Sequence, residues 1–182
     1  QGIPALAVPL FARTAPELEL GYETSDLAQG RAHKDASTAQ QILSDVSAAV
    51  TWLQQRCPRA AIDLAGFCFG GHAAFLAASF PGVAAAFDFY GAGVSRMRPG
   101  GGEPSLALLP EIQVRLTCVF GTADPLILGD DREAIRAALQ QAAAAAASTS
   151  AASSASRCAP FTSIGKEVPA EPTWQWSADS QG

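Results

Sequence analysis

The nine residues at positions 64–72, Leu-Ala-Gly-Phe-Cys-Phe-Gly-Gly-His, constrain the fold of this chain more than any other segment. An apolar run leads into them, a helix-forming run follows, and Cys68 stands two residues from both Gly66 and Gly70. This order is typical of a nucleophile elbow, in which a strand enters a sharp, strained turn that carries the nucleophile and continues as a helix. The flanking residues must be small because strand and helix come close together. A thiol at a helix N-terminus is favoured as the reactive thiolate.

Two other interpretations of this segment stand beside the elbow. Cysteine is among the most frequently buried residue types, so Cys68 could be an inert core side chain. The glycines could also form a phosphate loop, but no Gly-Lys-Ser/Thr is present, and Cys68 occupies the place of the second glycine of a dinucleotide-binding fingerprint. The elbow pattern alone does not separate a nucleophile from a buried cysteine, and the segments downstream favour the nucleophile.

Composition and charge narrow the class of protein. With 182 residues, 48% of them hydrophobic, the chain suits one soluble domain with a sizeable core. A net charge of −5 argues against nucleic acid and anionic membrane surfaces as partners, and no apolar run approaches the length of a membrane span. The four cysteines lie outside metal-ligand spacing and suit reduced thiols better than a disulfide scaffold. A cytoplasmic protein without a bound metal is therefore expected.

Hydrophobic patterning predicts strands that alternate with helices, which indicates an α/β fold with a parallel sheet covered by helices. Ligands bind such sheets beyond the carboxyl ends of the strands, where Cys68 and Asp124 both fall. Ser37 and Gln40 form a capping-box pattern at the start of the clearest helix. The predicted strands cover residues 2–11, 60–65, 83–90 and 114–120, the helices residues 37–56, 72–80 and 130–139, and the long loops residues 12–34 and 91–105.

Beyond this region the pattern fails. Residues 142–156 are almost all Ala, Ser and Thr. The Ala part could extend the preceding helix, whereas the Ser/Thr part is predicted to be flexible. Trp174 and Trp176 follow in a segment with a weak strand signal. The predicted organisation is therefore an α/β domain over residues 1–141, followed by a low-complexity stretch and flexible tail over residues 142–182.

Three segments, in this order and spacing, resemble the dienelactone hydrolase family of the α/β-hydrolase fold. They are the elbow at residues 66–71, Phe-Asp-Phe-Tyr-Gly at residues 87–91, and Phe-Gly-Thr-Ala-Asp-Pro at residues 120–125. A fourth, Leu-Phe-Ala-Arg at residues 10–13, resembles a segment just after an earlier strand of that family. The resemblance implies a central, mostly parallel sheet flanked by helices, without the family's N-terminal strands and divergent at the C-terminus.

The resemblance also implies roles for individual residues. Cys68 corresponds to the nucleophile, Asp124 to the acid that orients a catalytic histidine, and the backbone N–H of Phe69 to one oxyanion donor. Arg13 or Arg31 corresponds to an arginine that binds a substrate carboxylate, and the alignment does not choose between them. The implied chemistry is cleavage of a small-molecule ester or lactone through an acyl-enzyme, without a metal or organic cofactor.

One departure from the family bears on function. The family's triad runs nucleophile, acid, histidine, and no histidine follows Asp124 in this chain. His72 is expected to point along the elbow helix, away from the thiol, as a surface or first-turn histidine, and His33 is expected to be a solvated loop residue. Three functions stay open: a hydrolase, a catalytically inactive member that binds a small ligand or a partner, and a redox sensor based on Cys68. The oligomeric state is left open.

Overall fold

The computed structural model describes residues 3–152 and builds them around a three-stranded parallel sheet in the order β1-β2-β3. The parallel sheet confirms the prediction, with strand bounds that differ by a few residues. Helix α3 connects β1 to β2 by crossing over the sheet, and a long loop with a 3₁₀ helix connects β2 to β3. The strands are β1 Ile62–Phe67, β2 Val83–Phe89 and β3 Arg115–Val119.

Among residues 3–152, four α-helices and one 3₁₀ helix accompany the sheet. The capping box of α2 lies one residue later than predicted, because the Thr38 and Gln41 side chains each bond to the other's backbone N–H. Ser37 instead ends α1, where its N–H donates to the carbonyl of Lys34. The helices are α1 Thr24–Ala36, α2 Ala39–Arg56, α3 Phe69–Ala77 and α4 Gly129–Ala152, and the 3₁₀ helix is Ser105–Glu111.

The strand predicted over residues 2–11 is wrong for the residues that the structure describes. Residues 3–9 have no regular structure, and the chain turns after Pro9, whose carbonyl accepts the N–H of Ala12. Pro4 and Pro9 have no N–H to donate to a ladder, and an apolar run becomes a strand only beside a partner strand.

The loop predicted over residues 12–34 is also wrong, since α1 begins at Thr24. A reciprocal pair of bonds between Glu23 and Asp26 caps this helix, and none of its residues is buried. Because α1 has no buried apolar stripe, hydrophobic periodicity gave no signal for it.

Helix α4 continues beyond the point where flexibility was predicted. It runs to Ala152, so Ser148, Thr149 and Ser150 belong to the helix. The rest of the predicted tail, including Trp174 and Trp176, lies outside the described residues. None of the helices in residues 3–152 is long and apolar enough to cross a membrane.

The two faces of the sheet have different environments. On one face Gly66, Asp88 and Cys118 are register partners across the three strands and lie under α3 and α4. The alternate residues point to the other face. There Phe67 is 59% exposed, and its ring stacks on Phe89 at 4.9 Å between centroids. The core of the described residues therefore lies on the α3 side of the sheet.

Gly66 permits a close approach between β1 and the first turn of α3. A Cβ at this position would overlap the backbone carbonyl of Gly70, and backbone atoms cannot rotate away as a flexible side chain can. A Cβ at Gly70, by contrast, would meet nothing within 4 Å.

We expect Gly66→Ala to lower the free energy of unfolding by about 3 kcal/mol or more, because α3 must move away from β1. Gly70→Ala is the matched control. It adds the same methyl group to a helical position and should be neutral or stabilising by up to about 1 kcal/mol. Urea unfolding followed by circular dichroism measures both variants, and similar losses of stability in the two would contradict the close-approach explanation.

Candidate active site

Cys68 forms the turn between β1 and α3, and its backbone has φ 53° and ψ −121°. A positive φ is strained for a residue other than glycine and persists only where the surroundings enforce it. Here the N–H of Cys68 donates to the carbonyl of Phe89 at 3.0 Å, and its own carbonyl accepts the N–H of His72 at 3.2 Å. The thiol-bearing residue is exposed. The geometry is that of the predicted elbow, and the buried-cysteine interpretation does not apply.

The N–H of Phe69 lies beside this thiol. Phe69 is the first residue of α3, and helix geometry leaves the first N–H groups without an intrahelical acceptor. The positive end of the helix dipole lies at the same point. An anion that forms next to Cys68 would therefore meet an N–H donor and a favourable field.

Asp124 follows β3 at the same edge of the sheet. Its Oδ1 accepts the N–H of Leu126 at 2.8 Å, which fixes the carboxylate in a tight turn. β2 lies between β1 and β3, so Cys68 and Asp124 follow strands that are not neighbours in the sheet.

Tyr90 is a second strained residue at this edge, and it was not among the predicted site residues. Its φ is 44°, and its N–H donates to the carbonyl of Val119 at 2.8 Å. The ring is 44% exposed and lies 6.2 Å from that of Phe67. The Tyr-Gly dipeptide after an apolar strand was visible in the sequence, but the positive φ was not.

The segment that carries Arg13 packs against the elbow helix. The ring of Phe11 stacks on that of Phe69 at 5.9 Å. Arg13 donates to both carboxylate oxygens of Asp45 on α2, which raises the pKa of the guanidinium through the hydrogen bonds and the charge of Asp45. Arg31, the other candidate, is exposed on α1.

His33 lies on α1 and is half-buried, so the solvated loop position predicted for it is wrong. Its ring lies 5.8 Å from that of Phe11, and its Nδ1 is 3.0 Å from the hydroxyl of Thr14. That hydroxyl also bonds to the carbonyl of Phe11. His33 therefore packs against the 10–14 segment through Phe11 and Thr14.

His72 is buried, contrary to the expected surface position, and both of its ring nitrogens have partners. Nδ1 lies 3.0 Å from the carbonyl of Ala92, which accepts its proton, so Nε2 accepts the hydroxyl of Ser105 at 2.7 Å. Burial lowers the pKa of His72 to about 4, and the bond to Ala92 opposes that shift. His72 is therefore neutral and is not available as a base for Cys68. The sequence analysis likewise expected its side chain to point away from the thiol.

Side-chain hydrogen bonds hold the loop from residue 91 to residue 104 in place. His72 joins its two ends, at Ala92 and Ser105. Ser95 and Arg96 in the middle of the loop donate to Asp131 on α4. The sequence predicted a loop here, and its bonds give that loop a fixed position beside the elbow helix.

Asp88 is a further group that sequence reasoning missed. It is fully buried in β2, and its Oδ1 accepts the N–H of Gly91 at 2.8 Å. Burial raises the pKa of this carboxyl to about 7, opposed by the bond from Gly91. The signal in the sequence was a lone acid within an apolar strand.

The residues that the structure describes contain no group of three or more His, Cys, Asp or Glu side chains that could hold a metal ion. Of the residues with a role implied by sequence, Arg13 pairs with Asp45, Arg31 is exposed on α1, and Phe69 begins α3. The geometry brings Cys68, Phe69 and Asp124 to one edge of the sheet, and Arg13 to the segment packed on Phe69.

Comparison with known proteins adds three findings. The sequence profile of the dienelactone hydrolase family matches residues 1–150. A protein of Synechocystis sp. named "Putative carboxymethylenebutenolidase" is 38% identical over 141 residues, which cover 76% of this chain and 57% of that protein. The crystal structure of a "Putative Dienelactone Hydrolase" from Klebsiella pneumoniae is similar with a TM-score of 0.55 at 22% identity, over 73% of this chain and 55% of that one. The structural likeness shows a shared fold, and the chain spans a little over half the length of these relatives.

The burial of His72 predicts a pH-dependent contribution to stability. The unfolded chain takes up a proton near pH 6.5 and the folded chain near pH 4, so stability is lost as the pH falls between these values. We expect the difference in free energy of unfolding between the wild type and His72→Gln to shrink by about 3 kcal/mol from pH 7 to pH 4. Urea unfolding at each pH measures it, and a difference that does not vary with pH would contradict the assignment of His72 as a buried neutral imidazole.

Proposed function

Because the chain belongs to the dienelactone hydrolase family, we propose that it cleaves an ester or lactone bond with Cys68 as the nucleophile. One observation carries this proposal: an exposed cysteine is held at positive φ between a strand and the N-terminus of a helix. Strain of this kind is concentrated at functional sites, since the surrounding structure must maintain it against its cost.

The first half of the reaction uses groups at the elbow. The Cys68 thiolate attacks the substrate's carbonyl carbon, and the electron pair of the C=O bond moves to oxygen. The N–H of Phe69 donates to that oxyanion. When the oxyanion collapses, the C–O bond to the leaving oxygen breaks, that oxygen takes a proton from solvent water, and a thioester to Cys68 remains.

The second half requires a base that activates water, and in this fold an acid such as Asp124 orients the base. Both ring nitrogens of His72 are occupied, and the Nδ1 of His33 is engaged by the hydroxyl of Thr14, so neither histidine is free to act as that base without giving up a partner. For the chain as given, we therefore expect acylation to be faster than deacylation.

The proposed substrate is a small ester or lactone that bears a carboxylate. The name of the Synechocystis relative denotes an enzyme for a lactone with a carboxyl-bearing substituent. In this chain the stacked rings of Phe11 and Phe69 offer an apolar surface beside Cys68. Arg13 follows Phe11 by two residues, and since its Nε and Nη2 already bond to Asp45 and Ser44, it would bind a substrate carboxylate through Nη1.

A nitrophenyl ester tests the nucleophile. We expect a burst of nitrophenolate of about one equivalent, followed by slow turnover, together with an acyl group on the peptide that contains Cys68. Cys68→Ala should abolish both. Cys57→Ala, which alters the half-buried thiol at the end of α2, should retain them.

Each result of this experiment has a definite meaning. A burst that survives in Cys68→Ala would overturn the nucleophile assignment. A folded wild-type chain with no burst and no acyl group would contradict the hydrolase proposal and favour an inactive family member. Full multiple turnover that is lost in His33→Ala would identify His33 as the base and contradict our expectation that deacylation is slow.

Two nitrophenyl esters of equal length, one ending in a carboxylate and one in a methyl group, test the arginine. Arg13→Gln should reduce the second-order rate constant for acylation by the carboxylate ester by about tenfold and leave that of the neutral ester unchanged. Arg31→Gln is the matched control, because it removes the same charge from an exposed position on α1. The opposite pattern would assign the carboxylate to Arg31, and equal losses for both esters would contradict a role in substrate selection.

A further inference from the structure

Asp88 is the most unusual polar group among the described residues. It is fully buried in the central strand, and its Oδ2 has no hydrogen-bond partner there. Its Oδ1 has one partner, the N–H of Gly91. A buried carboxyl with one oxygen lacking a hydrogen bond destabilises the folded state, and such groups often have a functional role.

The carboxyl group lies directly beneath the elbow. Its register partner in β1 is Gly66, two residues before Cys68. A Cβ added at Gly71, in the first turn of α3, would overlap Oδ1 of Asp88. The next residue after Asp88, Phe89, accepts the N–H of Cys68. Asp88 and Cys68 are therefore two acids placed around the N-terminus of one helix, one below it in the core and one at the surface.

Two anions at one helix N-terminus oppose each other. The dipole and the free N–H groups favour a negative charge there, but a second negative charge nearby disfavours the first. Because Asp88 is buried, solvent screens its charge less than it would screen a charge at the surface. When Asp88 releases its proton to solvent, the Cys68 thiolate therefore loses part of its stabilisation.

The other titratable groups that face Asp88 keep a constant charge near neutral pH. Burial, assisted by the charge of Asp88, raises the pKa of the Cys118 thiol well above its ordinary value, so that thiol stays protonated. His72 is neutral above about pH 4. Asp63 and Arg115 belong to the opposite face of the sheet. The charge beneath the elbow is thus set by Asp88, whose pKa of about 7 agrees with this placement.

We propose that Asp88 is a positioning residue that controls the reactivity of Cys68 through its own charge. When the carboxyl of Asp88 is protonated, the N-terminus of α3 stabilises the Cys68 thiolate. When the carboxyl is ionised, its negative charge destabilises that thiolate. The proposal builds on the Cys68 nucleophile but concerns the reactivity of the thiol, which is measurable without any turnover. Its failure and that of the hydrolase proposal are therefore distinguishable.

Alkylation by iodoacetamide tests the proposal on the whole chain. The rate is followed by mass spectrometry on the peptide that contains Cys68, from pH 5.5 to pH 9, for the wild type and Asp88→Asn. Asn keeps an acceptor for the N–H of Gly91 and removes the charge. We expect equal rates at the acidic end and a variant roughly threefold to tenfold faster at pH 8, because the wild type carries its carboxylate only above neutral pH.

Cys118→Ala is the control, since it changes the side chain beside Asp88 without changing the charge, and its pH profile should match that of the wild type. Profiles of the wild type and Asp88→Asn that coincide at every pH would overturn the proposal. A variant altered by the same factor at every pH would also overturn it, because that result indicates a structural role alone.

The wild type provides a second test that does not depend on the folding of a variant. Two acids that repel each other titrate over a wider pH range than a single acid. We therefore expect the alkylation rate of wild-type Cys68 to rise less steeply with pH than a one-proton curve. A rise that follows a one-proton curve would overturn the coupling between Asp88 and Cys68.

Discussion

The contact between β1 and the first turn of α3 is the constraint on which the rest of the site depends. The absence of a side chain at Gly66 lets the backbone of Gly70 lie against the strand, so the chain must reverse at Cys68. Positive φ at a residue other than glycine costs about 1–3 kcal/mol. The two backbone bonds of Cys68 and the burial of residues 71–77 of α3 offset this cost. The same contact that fixes the fold therefore exposes the thiol.

Two buried polar groups support this contact, and their effects on stability have opposite signs. His72, with its lowered pKa, loses its contribution as the pH falls from about 6.5 to about 4. Asp88, with its raised pKa, loses its contribution as the pH rises from about 4 to about 7. Each shift is worth about 3–4 kcal/mol, so the two nearly cancel over most of this range. The site can therefore hold an acid and a base in the core without a steep acid dependence of folding.

Local and non-local determinants explain which parts of this structure the sequence could predict. The strand-turn-helix geometry at Cys68 and the parallel strands depend on glycine spacing and apolar runs within a few residues, and the structure has both. The strand over residues 2–11 fails because pairing needs a neighbouring strand. Helix α1 was missed because no apolar stripe marks it. The burial of His72 could not be inferred, since α3 is covered on nearly every side and has no polar face to reveal the orientation of its residues.

The candidate site also has one part that depends on local sequence and one part that depends on long-range packing. The features proposed to govern the reactivity of Cys68 are local, since the strained turn, the helix N-terminus and the carboxyl of Asp88 all lie within residues 62–91. Asp124 lies at the same edge of the sheet because β3 pairs with β2 in parallel, so the carboxyl ends of both strands meet there. A base must come from a segment whose position depends on further long-range packing. In the proposed function, acylation therefore draws on the elbow alone, whereas deacylation draws on a base that the wider fold must position.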